Sequence, residues 1–338
     1  MRAFVLTAPL QASVQDVADP VAGPGQVVVD VARVGVCGTD VEFFTGVMAY
    51  LHDGQATYPL RLGHEWCGSV SAVGEGVDSW WLGRRVTGDT MLGCGHCHRC
   101  TSGRQHVCAE RHEIGIRNGW PGALAERLLV PASALHALPD TLDDTAGALV
   151  EPGGNALRAV LAADAAPGRR LLVWGSGTIG LLSAQLAVAA GADVDVVGHH
   201  LETLQMARDF GAARATLAAD GVDGEYDAII DATNDRTVPA AALAAVEPGG
   251  RVVYIGLSGE PSLVDTRMIA LKDVTVIGIL SASPGLQGVI EHYASGRVDP
   301  RPIVAATVGL AATVDVLEGR RPAAAGSGPK MHIDPRRD

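Results

Sequence analysis

The chain has 338 residues, more than one ordinary core accommodates, so two domains are the natural expectation. A formal net charge of −12 excludes the basic surface that nucleic-acid binding needs. No apolar run reaches the roughly 18 residues that a bilayer span requires, so no membrane partner is expected.

Taken in chain order, Met1-Arg2-Ala3-Phe4-Val5 lacks the apolar core and cleavage site of a signal peptide. It reads as a first strand, and the chain as cytoplasmic. Strand-like runs follow at 26–34 and 68–73, punctuated by glycines. Between them lie Cys37-Gly38-Thr39-Asp40 and Gly63-His64-Glu65, each holding groups that bind metals.

The six cysteines all fall in the first third of the chain, four of them within fifteen residues. A disulfide scaffold would be cysteine-dense along its whole length, so metal ligands in a reducing compartment fit better. Cys94, Cys97, Cys100 and Cys108 are spaced C-x2-C-x2-C-x7-C. Four thiolates close a tetrahedral shell around Zn²⁺ with no open position, which defines a structural site. Arg99, Arg104 and Arg111 stand nearby to offset its negative charge.

Near residue 150 the rhythm changes. From Arg170 onward, short β-branched runs at 171–174, 193–197, 228–231, 252–255 and 274–277 alternate with helical stretches at 179–190, 201–210, 238–246 and 266–271. This pattern predicts βαβ units on a parallel sheet. The last forty residues read again as short strands and turns.

Gly175-Ser176-Gly177-Thr178-Ile179-Gly180 follows an apolar strand and opens a helix, the context that turns a glycine-rich turn into a dinucleotide site. Gly175 permits the tight turn, Gly177 the approach of a pyrophosphate, and Gly180 the close packing of helix on strand. The first turn of the helix, with Thr178 and Ile179, offers unpaired N–H groups to the phosphates. About 20 residues on, an Asp or Glu would bind the ribose 2′-hydroxyl of NAD. Counting back from the next helix places Gly198 there, followed by His199 and His200. The missing acid leaves room for a 2′-phosphate, and the histidines can donate to it, which favours NADP(H) over NAD(H).

Together the cysteine lobe, the two metal-binding motifs and the glycine turn resemble the zinc-containing medium-chain dehydrogenases, in order and spacing over essentially the whole chain. The threonine, polyol and sugar dehydrogenase branches are the most similar. The resemblance implies an α/β fold with a GroES-like, β-rich catalytic domain over 1–152 and 296–338. It implies a Rossmann-type doubly wound parallel sheet over 153–295.

It further implies a second, catalytic zinc held by Cys37, His64 and Glu151, with Glu65 entering the shell during turnover. Asp40 resembles a carboxylate that orients a ligand histidine. Thr39 resembles the hydroxyl of a proton relay, and Glu42 takes the place of its usual outer histidine. Gly154-Asn155-Ala156 resembles the motif of the threonine dehydrogenases, which implies Asn155 beside the nicotinamide. Arg158 replaces a usual histidine, as a contact to cofactor phosphate or as a surface change. Cys67 matches no ligand position and reads as a small buried residue.

The reaction implied is reversible oxidation of an alcohol to a carbonyl. The mixed aromatic and polar loop 43–54 favours a polyol, sugar or cyclitol, with a threonine-type amino-alcohol or a simple alcohol as the alternative. Relatives assemble into dimers or tetramers, and a homotetramer is expected.

Overall fold

The computed structural model describes residues 1–337, which form two compact units. One comprises Met1–Glu151, Asp299–Gly326 and Lys330–Asp338; the other comprises Pro152–Val298 and Ser327–Pro329.

The first unit is built on a seven-stranded sheet. Its central strand, Gln26–Gly35, pairs antiparallel with Glu65–Val73, with Arg127–Pro131 and with Lys330–Asp334. The last of these lies parallel to Val304–Gly309, so the chain's final strands complete the sheet that begins at Gln26. Phe4, Phe43, Phe44, Leu62, Trp66, Ile114 and Leu124 are almost wholly buried and form its core. Strand pairing also sets the position of the metal-binding motifs. Gly35 stands opposite Glu65, so Cys37, just past one strand, meets His64, just before the other.

The second unit is a six-stranded sheet, parallel throughout, in the order Arg214–Leu217, Asp193–Gly198, Arg170–Trp174, Tyr226–Asp231, Val246–Tyr254, Thr275–Gly278. Numbered along the chain this is 3-2-1-4-5-6, the doubly wound order, with its switch point beside Arg170–Trp174. The glycine turn leaves that strand at the switch point. Helix Thr178–Ala189 is predominantly apolar and buried from Gly180 to Ala187, with Ser183 and Gln185 as its buried polar members. Such a helix is a core element rather than a surface one.

Two elements exceed the sequence expectations here: strand Arg214–Leu217 and helix Leu286–Ala294. Lys272 docks its ammonium on the carbonyls of Leu243, Ala244 and Val246, capping helix Val238–Ala245. On the strand side opposite the switch point, Asp195 is buried and gathers Arg214, Arg170 and the Tyr226 hydroxyl at 2.7, 3.2 and 2.9 Å. No described helix is long and apolar enough to cross a membrane.

Candidate active site and cofactor turn

Helix Gly38–Thr45 starts directly after Cys37, and Asp40 in its first turn ties the site together. One Asp40 oxygen accepts the N–H of Cys37 at 2.9 Å, and the other accepts the N–H of Gly63 at 3.2 Å. Gly63 holds φ at +96°, a conformation that glycine adopts without strain. The Cys37 and His64 segments are therefore joined through one buried carboxylate. Asp40 lies 3.7 Å from His64 Nδ1, beyond hydrogen-bond range, because its oxygens are committed to the backbone. It fixes the frame around His64 rather than the ring itself.

The ligand atoms of Cys37, His64 and Glu65 lie within 4.8 Å of one another. His64 is buried, and its Nδ1 has no hydrogen-bond partner. Burial acts to lower the proton affinity of this imidazole, but Asp40, Cys37 and Glu151 outweigh it and raise its pKa well above the usual value. A site that stabilises positive charge so strongly is the surrounding a divalent cation needs. Glu151 stands outside the 4.8 Å set, buried in the first turn of helix Val150–Ala162, close enough to act on His64.

Glu65 has a partner that sequence reasoning missed. Lys330 donates to its two carboxylate oxygens at 2.8 and 2.7 Å and to the Val36 carbonyl at 3.0 Å. Both side chains are almost inaccessible to solvent. Gly35 is required behind the pair, since a Cβ there would lie 2.1 Å from Glu65 Oε2. The available signal was compositional: Lys330 is one of only two lysines in the chain, the other cations being arginines.

Thr39 and Glu42 lie three residues apart on the same helix and so share a face. Glu42 reaches solvent, although partial burial still raises its carboxyl pKa. Cys67 is fully buried, its thiol directed to the Asp144 carbonyl. Arg158 donates to the carbonyls of Leu280 and Ser281, which engages its guanidinium in fixing that loop.

The four clustered cysteines are all reduced, with sulfurs 3.6 to 3.9 Å apart in the Cys97–Cys100, Cys97–Cys108 and Cys94–Cys100 pairs. A tetrahedron of thiolates about 2.3 Å from a zinc has edges of about 3.8 Å, so the donor set fits that ion. Gly93 makes room for it, as a Cβ there would lie 2.6 Å from Cys100 Sγ. N–H groups of Cys94 and Glu110 draw the Cys108 thiol down to about 7, whereas burial pushes Cys100 up to about 12.

In the second unit Gly175 has φ +108°, and a Cβ on Gly180 would lie 1.8 Å from the Gly175 carbonyl. Nothing stands within 4 Å of a Cβ built on Gly177, and no side chain caps the helix start. The open space faces free N–H groups, which fits a dinucleotide pyrophosphate. Thr178 and Ile179 occupy the first turn half-buried; His199 and His200 are exposed after Gly198; Asn155 is half-buried on helix Val150–Ala162, one turn after Glu151.

The alcohol dehydrogenase GroES-like domain family matches residues 23–140, and the zinc-binding dehydrogenase family matches residues 178–295. An L-threonine 3-dehydrogenase from Anaeromyxobacter sp. (strain K) is 31% identical over 277 residues, covering 78% of each chain. The chain belongs to the zinc-containing medium-chain alcohol dehydrogenase family.

Two solved structures share its fold over 99% of each chain. An alcohol dehydrogenase from E. coli CFT073 complexed with NADH superposes with TM-score 0.89 at 26% identity. A protein from Sinorhizobium meliloti 1021 bound to NADP superposes with TM-score 0.89 at 29% identity. Membership gives the class of reaction, oxidoreduction of an alcohol with a nicotinamide cofactor. The GroES-like and Rossmann-type architecture expected from the sequence is the one found.

Proposed function

We propose that this dehydrogenase acts on a secondary hydroxyl, or the corresponding ketone, of a polyol, sugar or cyclitol, with NADP(H) preferred over NAD(H). The observation that carries the substrate class is Glu42, an acid that shares a helix face with Thr39. A carboxylate there suits a substrate with further hydroxyls to hold.

In this reading residues 1–152 and 296–338 form the catalytic domain, and 153–295 bind the nicotinamide cofactor. Cys37, His64 and Glu151 hold the catalytic zinc, with Glu65 poised beside them; Cys94, Cys97, Cys100 and Cys108 hold a structural one. A zinc ion and a nicotinamide ring supply, when bound, the Lewis acidity and the hydride acceptor. Thr39 accepts the proton of the substrate hydroxyl, and Glu42 passes it to solvent. Asn155 lies toward the nicotinamide, and Gly198, His199 and His200 receive the 2′-phosphate.

A threonine-type amino-alcohol dehydrogenase is the second reading, favoured by Gly154-Asn155-Ala156 and by the 31% identical relative. Assays of zinc-loaded protein with NADP and NAD against polyols, aldoses, cyclitols and threonine separate the two. Turnover of threonine alone overturns the first.

Self-association is supported by the sheet's edge strand Thr275–Gly278, and the preference for a tetramer over a dimer rests on the family resemblance alone. Exposed Val276 lies on it, and exposed Leu271 and Leu280 lie near it in the chain. Light scattering tests this assembly.

A further inference from the structure

We propose that Ser176, the second residue of the glycine turn, is a specificity-determining residue for the ribose 2′ group of the cofactor. It fills the space an acid at position 198 would need, and it offers its hydroxyl to a 2′-phosphate. The second half of this proposal rests on the NADP(H) reading above.

The steric half follows from the end of strand Asp193–Gly198. A Cβ on Gly198 would lie 2.1 Å from Ser176 Oγ and 2.7 Å from Ser176 Cβ, with Leu204 Cδ2 at 3.4 Å. Rotation of the serine hydroxyl relieves the first contact but not the second. Ser176 Cβ is fixed by its backbone, and that backbone has little freedom. A Cβ on Gly175 would lie 2.8 Å from the Ala232 carbonyl, and one on Gly180 would lie 1.8 Å from the Gly175 carbonyl. The acid that selects NAD reaches the ribose from position 198. Here its side chain would begin inside Ser176, so glycine at 198 and serine at 176 form one steric unit.

The chemical half follows from a pair of hydroxyls. Ser176 Oγ and Thr203 Oγ1 lie 2.7 Å apart, and both residues are over nine-tenths buried. Thr203 donates its single proton to the His200 carbonyl at 3.1 Å, so the proton shared between the hydroxyls is that of Ser176. An anionic oxygen arriving beside Gly198 accepts that proton as a hydrogen bond. Thr203 then turns its own proton to Ser176 Oγ. No covalent bond changes; two hydroxyls rotate in sequence. A phosphate gains a charge-assisted bond, whereas a ribose hydroxyl gains only a neutral one.

The test uses the full-length, zinc-loaded protein. NADPH and NADH binding is read by nucleotide fluorescence, and adenosine 2′-monophosphate by displacement of NADPH. Ser176→Ala removes the hydroxyl alone and is expected to weaken NADPH and adenosine 2′-monophosphate about tenfold or more, and NADH by a several-fold smaller factor. Gly198→Asp alone is expected to weaken both dinucleotides. Gly198→Asp with Ser176→Gly is expected to restore NADH binding and to abolish the preference for NADPH.

An unchanged NADPH-to-NADH ratio in Ser176→Ala overturns the chemical half. NADH binding as tight in Gly198→Asp as in the double variant overturns the steric half. A wild type that prefers NADH overturns the NADP(H) reading and the chemical half with it, while the Gly198→Asp comparison still decides the steric half. Melting temperatures without cofactor separate a loss of binding from a loss of fold.

Discussion

Replacing Lys330 by Met keeps most of the side chain's aliphatic volume and removes only its charge and its donors. The partner left behind, Glu65, is 2% exposed and has no other cation at hydrogen-bond distance among the described residues. Breaking a buried ion pair from one side costs about 3–5 kcal/mol, because the remaining charge stays desolvated. The unit that holds the pair has about 190 residues. A domain of that size loses roughly 2–4 °C of melting temperature per kcal/mol, so Lys330→Met should melt roughly 6–20 °C lower.

Differential scanning calorimetry of the zinc-loaded protein at neutral pH measures this shift, with metal content determined alongside. Adding Glu65→Gln to Lys330→Met removes the stranded charge and should recover at least about half of the loss. A single variant melting within about 2 °C of wild type would falsify the reasoning. So would a double variant no more stable than the single one.

Cys37→Ala should lower turnover roughly a thousandfold and reduce zinc from about two ions per chain to about one; two retained ions would show that Cys37 is not a ligand. Cys97→Ser should lower zinc by the same amount but act on melting temperature and assembly, leaving turnover in the protein that remains folded. The raised pKa of Glu42 places an acid limb of alcohol oxidation above the ordinary glutamate range, with activity present above it and lost below. Glu42→Gln should remove that limb and slow oxidation about tenfold or more, and a profile of unchanged shape counts against the relay. Hydrogen bonds from Arg214 and Tyr226 outweigh the burial of Asp195 and hold its carboxyl below the usual value. Its contribution is therefore present above the unfolded carboxylate pKa of about 4 and is lost as pH falls through the folded value. Asp195→Asn should cost about 2 kcal/mol at neutral pH, with the gap to wild type closing in acid; a gap that persists undiminished below pH of about 3 contradicts this.

The parallel sheet was legible because its strands are short β-branched runs set between alanine-rich helices. Arg214–Leu217 escaped because it is four residues long and lies among alanines of helical composition. Helix Leu286–Ala294 escaped because Ser283-Pro284-Gly285 precedes it and Gly288 interrupts it. The cysteine lobe could be read from spacing because its four thiols come from one local segment. The Cys37 and His64 motifs carry no spacing signal, since the Gly35–Glu65 register brings them together across a sheet.

Lys330 was invisible for the same reason, being 265 residues from Glu65. Only its rarity marked it. A compact ammonium fits where a planar guanidinium fork does not, and the chain uses lysine where one point charge must meet several oxygens at once.

That economy also bears on handling. Lys330 is enclosed, and Lys272 has its ammonium held by three carbonyls. Reagents that acylate amines, and supports that couple through them, therefore meet a folded surface whose positive charge is almost entirely guanidinium. Attachment through lysine would fall on half-buried Lys272, and would have to break its bonds to the carbonyls that end helix Val238–Ala245.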